Sequence, residues 1–119
     1  MAAIACVCAG VVPGLAFGDF KQPGGGVYCA PDGLYPPTLQ CWRTTTGLTL
    51  AMKPTGRASF ETLRSNRNTR EDSAPTLRYG RTWRYQKAFT CTMARKGLTC
   101  TNRSKHGWFM GRIEGYRLF

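Results

Sequence analysis

A chain of 119 residues has room for one hydrophobic core, which excludes a two-domain enzyme. Its 42% hydrophobic, 12% aromatic and 19% charged residues are the composition of a folded globule, not of a disordered tail. Seventeen Lys and Arg against six Asp and Glu give a formal net charge of +11, and residues 1–18 carry none of it.

In chain order, residues 1–18 are apolar and rich in small side chains, and polar sequence begins at Asp19. Ala16-Phe17-Gly18 supplies the small residues that precede a secretory cut, so these residues read as a signal peptide cleaved after Gly18. A buried N-terminal strand is the alternative, weakened by Pro13 and Gly14, which interrupt the run. The same Pro-Gly pair argues against a transmembrane segment, which needs about 20 apolar residues.

Residues 19–119 then read as a single β domain. Gly and Pro recur throughout and leave little room for long helices; between them lie short runs rich in Thr, aromatic and branched residues. Leu39 and Cys41 mark one strand, and Leu48, Leu50 and Met52 another. Glu61 to Ala74 contains a run from Arg64 to Ser73 without an apolar residue, which reads as a solvated loop. From Thr82 to Met93 the residues Trp83, Tyr85, Phe89, Cys91 and Met93 share one parity, so one face is core and the other wet. Lys87 breaks that parity, which suggests a bulge or a side chain whose stem lies along the core edge with its ammonium in water. Trp108 to Phe119 adds one or two strands. The expected fold is all-β, a small antiparallel sandwich or barrel of roughly six to eight strands, with no internal repeat apparent.

Removal of the leader leaves Cys29, Cys41, Cys91 and Cys100, which allow three pairings. Spacing favours two local disulfides, because each pair is flanked by strand, turn and strand. In the second hairpin Met93 faces Leu98 and Cys91 faces Cys100, at the separation that opposed antiparallel residues offer a disulfide. Zinc would call for close C-x-x-C ligand pairs, which these intervals are not, so no metal and no cofactor are expected.

The runs Leu77-Arg78-Tyr79-Gly80-Arg81-Thr82-Trp83, Phe89-Thr90-Cys91, Gly97-Leu98-Thr99-Cys100-Thr101-Asn102 and Lys105-His106-Gly107-Trp108-Phe109-Met110, ending in Tyr116-Arg117-Leu118-Phe119, resemble an uncharacterised family of small secreted bacterial proteins. Phe20-Lys21-Gln22-Pro23-Gly24-Gly25 is similar to that family's opening. The resemblance implies export, disulfides and a β-rich fold, and carries over no catalytic residue or ligand. The chain departs from the family pattern at Lys105, where a Gly commonly precedes the His, and at Gly111, where a Ser is common.

A body this basic attracts polyanions: teichoic acid, anionic lipid or nucleic acid outside a cell. Arg64, Arg67 and Arg70 in the polar loop, with Arg84 on the outward face of its strand, are the candidate polyanion-binding residues. His106, the single histidine, is the candidate catalytic residue of a small secreted nuclease or hydrolase. Glu61 or Glu71 would then be the base and Arg78 or Arg81 the phosphate clamp. The plainer reading places His106-Gly107 in a turn, with the imidazole bonded to backbone. A third reading is an inhibitor or interaction module that presents its Arg-rich loop to a protein partner. The sequence therefore points to a secreted or cell-envelope protein, more an attachment module than an enzyme.

Overall fold

The computed structural model describes residues 18–33, 35–61 and 73–119. The expected leader, apart from Gly18, and the polar loop with Arg64, Arg67, Arg70 and Glu71 lie outside the described residues.

Among the described residues, ten strands form two antiparallel five-stranded sheets. The first consists of β1 (Phe20–Lys21), β2 (Val27–Pro31), β3 (Leu39–Arg43), β4 (Thr49–Met52) and β5 (Ser59–Phe60). The second consists of β6 (Thr82–Tyr85), β7 (Phe89–Ala94), β8 (Gly97–Asn102), β9 (Gly107–Gly111) and β10 (Tyr116–Leu118). Within each sheet every strand pairs with the next in the chain, so each sheet is an uninterrupted meander. The count exceeds the expected six to eight because β1 and β5, at two residues each, are too short to show an alternation.

The sheets pack face to face around one core, in which Phe20, Leu39 and Leu50 of the first meet Trp83, Leu98 and Trp108 of the second. The Phe20 and Trp83 ring centroids lie 4.9 Å apart. Each such large side chain contributes about 1.5–3 kcal/mol by leaving water. At the sheet edge, Trp83 Nε1 donates to Gly18 O at 3.0 Å, an acceptor that a cut after Gly18 would remove.

The run from Thr82 to Met93 is a hairpin rather than one bulged strand. Gln86 and Lys87 adopt φ of 50° and 58°, which reverses the chain and pairs Tyr85 with Phe89 and Trp83 with Cys91. Three residues separate Tyr85 from Phe89, an odd number, so the apolar parity survives the turn and the sequence cannot reveal it. The following hairpin has the expected register, Met93 opposite Leu98 and Cys91 opposite Cys100.

Both disulfides form, Cys29–Cys41 and Cys91–Cys100, each between directly opposed residues with Cα atoms 4.0 Å apart. Each joins the second and third strands of its sheet. Across the first sheet this register row reads Phe20, Cys29, Cys41, Leu50, Phe60. Across the second it reads Trp83, Cys91, Cys100, Trp108, Leu118. The sheets thus repeat one plan in register although the residue types differ, which is why no repeat is apparent in the sequence.

The plan extends to a reciprocal lock. Two residues beyond Cys41, the buried Arg43 donates to Gly111 O and Ile113 O at 3.0 Å and to Gly115 O at 2.9 Å, in and around the β9–β10 loop. Two residues beyond Cys100, the buried Asn102 donates through Nδ2 to Lys53 O at 2.9 Å and Gly56 O at 2.8 Å, in the β4–β5 loop. Each sheet grips the opposite sheet's loop through backbone carbonyls. Burial lowers the Arg43 pKa and nearby Glu114 opposes that shift, and a guanidinium is basic enough to keep its charge through the physiological range.

Candidate functional site

The outward face of the second sheet is threonine-rich. Thr82, Thr92 and Thr99 form one row, with Thr82 and Thr92 Oγ1 atoms 3.3 Å apart, and Arg84, Thr90 and Thr101 form the next. β-branched Thr suits a strand whose inward neighbours are the cysteines of the core. Gly107 continues the second row, because a Cβ there would lie 1.8 Å from Cys100 O. β9 can approach β8 only with glycine at this point.

Two turns rise at the end of this row. One is residues 86–88; the other, residues 103–106, connects β8 to β9 and holds Lys105 at φ 66°. Asn102 Oδ1 accepts from the Ser104 and His106 amides at 2.9 and 3.2 Å, which shapes the second turn. Arg103 Nε donates to Lys87 O at 3.1 Å and ties the turns together. Between them lies a cavity of ≈ 420 Å³ lined by Lys87, Ala88, Thr90, Thr101, Asn102, Arg103 and Lys105. Its lining holds three cations, two threonines and no carboxylate. Two of the cations, Lys87 and Lys105, are non-glycine residues at positive φ, a conformation that costs about 1 kcal/mol and gathers at functional sites.

The charge distribution agrees with the cavity. Residues 73–119 contain ten Lys or Arg and one carboxylate, Glu114, whereas residues 18–61 contain four Lys or Arg and three carboxylates. Nearly all of the net charge lies with the second sheet. At the equivalent register position of the first sheet, Tyr28 stands opposite Trp42, ring centroids 4.6 Å apart, and both pack with Ala74. A bridge between Lys21 and Thr76 holds that covering segment beside β1.

Of the residues expected from sequence to meet a polyanion, Arg84 is exposed and stands directly across from Thr90 at the cavity wall. Lys87, Arg103 and Lys105 were missed, because two unrelated turns bring them together and no spacing announces it. His106 lies in the β8–β9 turn with Nδ1 3.2 Å from Phe119 O, the backbone-bonded arrangement. Arg78 and Arg81 sit at the opposite end of the sheet, where the Met93 amide donates to Arg81 O, about 13 Å along β7 from the Phe89–Asn102 pair. The alternative nuclease reading would need His106 beside these arginines, and the sheet holds them apart. The Sγ atoms of Cys29, Cys41 and Cys100 lie within 4.8 Å of one another where the two disulfides abut in the core, and as disulfide sulfurs they offer no thiolate to a metal.

A family model matches residues 41–118, from Cys41 in β3 to Leu118 in β10. The chain belongs to the family of unknown function DUF6636. The matched span contains the whole second sheet, the cavity and both halves of the reciprocal lock. No curated protein and no solved structure matches the chain.

Proposed function

We propose that this DUF6636 protein is a secreted, disulfide-stapled attachment module whose second sheet docks onto an anionic polymer of the cell envelope or its surroundings. The observation that carries this reading is the cavity without a carboxylate, set in a sheet region of ten cations and one acid. A phosphate group placed there meets guanidinium and ammonium donors with hydroxyls beside them, and its counterions are released. Two disulfides suit an oxidising compartment, and cleavage after Gly18 would deliver the chain there.

The test is binding of the oxidised chain 19–119 to polyphosphate, teichoic acid and single-stranded RNA across a salt series. Replacing Lys87, Arg103 and Lys105 together with Gln is expected to flatten the log–log salt slope by about 2, at roughly 0.7 per contact on a single strand. Replacing Lys21, Lys53 and Arg57 with Gln removes the same charge from the first sheet and should leave the slope nearly unchanged. Equal losses from the two triple variants would reduce the reading to net charge alone. Salt-independent binding, or none, would remove it.

A further inference from the structure

The outward face of the first sheet holds a second concavity, of ≈ 520 Å³, within the range of small-molecule sites. Gln40, Ala51 and Ser59 stand side by side on β3, β4 and β5 and form its floor. One wall is the β2–β3 connection. Asp32 Oδ1 accepts from the Thr38 amide at 2.8 Å, and Lys53 Nζ reaches across from the β4–β5 loop to Thr38 Oγ1 at 3.2 Å. Arg57 and Glu61 also line it.

This chemistry is the opposite of the basic cavity's. Two carboxylates balance two cations, so the field of a polyanion finds no net attraction here. Donors and acceptors alternate instead: carboxylates accept from hydroxyls, guanidinium and ammonium donate to them, and the Gln40 amide does both. Gln40, Arg57, Ser59 and Glu61 all line the cleft, three of them exposed and Gln40 half-buried. The loop that supplies the Asp32–Thr38 wall also carries Tyr35, 97% exposed, outside the cleft lining itself.

We infer that this cleft is a carbohydrate site, taking an uncharged oligosaccharide of about two or three rings whose vicinal hydroxyls are shared among Gln40, Arg57 and Glu61. Tyr35 stacks on an outer ring. The protein then carries two separate recognition surfaces, one on each sheet's outer face, and this inference stands whether or not the second sheet binds polyanions.

The experiment is amide-resolved NMR titration of the oxidised chain 19–119 with the trisaccharides of glucose, N-acetylglucosamine and mannose, and separately with polyphosphate. At least one trisaccharide is expected to shift the amides of Gln40, Ala51 and Ser59. Gln40→Ala and Arg57→Ala should each weaken that sugar about tenfold, the worth of one or two hydrogen bonds. Tyr35→Ala, which removes no cleft side chain, should weaken it several-fold. Unchanged amide spectra of the variants away from the substitution exclude loss of fold as the cause. No response of these amides to any of the three sugars up to about 10 mM, or full affinity in both cleft variants, overturns the inference. So does polyphosphate shifting the same amides as strongly as sugar.

Discussion

In the first sheet the outward pair Tyr28–Trp42 is packed beneath Ala74, whereas in the second the same register positions, Thr90 and Thr101, lie open among Lys87, Arg103 and Lys105. The inner rows differ far less: each has a disulfide between its second and third strands and a buried polar residue two positions further on. Shared constraints act on the inside, where a shape must be filled. The outside is free to diverge, and there one sheet holds a near-neutral cleft and the other a basic one.

The comparison can be broken most severely at the disulfides. Replacing Cys29 and Cys41, or Cys91 and Cys100, with Ala should each lower stability by about 3 kcal/mol, because the closed loops are of similar length. In thermal unfolding that is a fall of roughly 12–24 °C. If one pair proves dispensable and the other essential, the sheets are not energetic equivalents.

A smaller loss is expected from the reciprocal lock. Arg43→Met leaves the carbonyls of Gly111, Ile113 and Gly115 without their guanidinium and should cost about 2–3 kcal/mol. Asn102→Leu strands two carbonyls and should cost about 1–2 kcal/mol. Urea midpoints at constant m-value measure both. A double variant whose loss is smaller than the sum would show that opening one grip already loosens the other.

The smallest effect has the opposite sign. Lys105→Gly relieves a positive φ and should raise stability by about 0.5 kcal/mol while weakening polyphosphate binding. A variant that gains stability and keeps full affinity would show that the lysine serves neither fold nor ligand.

Much of this architecture was legible because it is local. Cys91 and Cys100 sit in a hairpin whose register follows from the alternation around them, and Cys29 and Cys41 bracket a Pro- and Gly-rich turn. The outward position of Arg84 and the burial of Trp83 came from parity alone. The Gln86–Lys87 turn escaped because an odd-length reversal preserves that parity. Arg43 escaped for another reason: nothing in Cys-Trp-Arg distinguishes a buried arginine from an exposed one, since its partners lie about 70 residues further on. The basic cavity failed to announce itself in the same way, its cations being contributed by two turns 16 residues apart at Lys87 and Arg103.

Arg43 and Asn102 hold their loops entirely by main-chain oxygens. Such a clasp reads the path of the chain: Gly56 and Gly115 hold positive φ and Gly111 has no room for a Cβ, so these glycines are fixed while the exposed side chains between them are not gripped. The side chains of Ile113 and Thr55 can therefore change without loosening the joint between the layers, whereas Glu114 also supports the charge of Arg43. The rims of this sandwich are places where new surface chemistry can be tried at little risk to the whole.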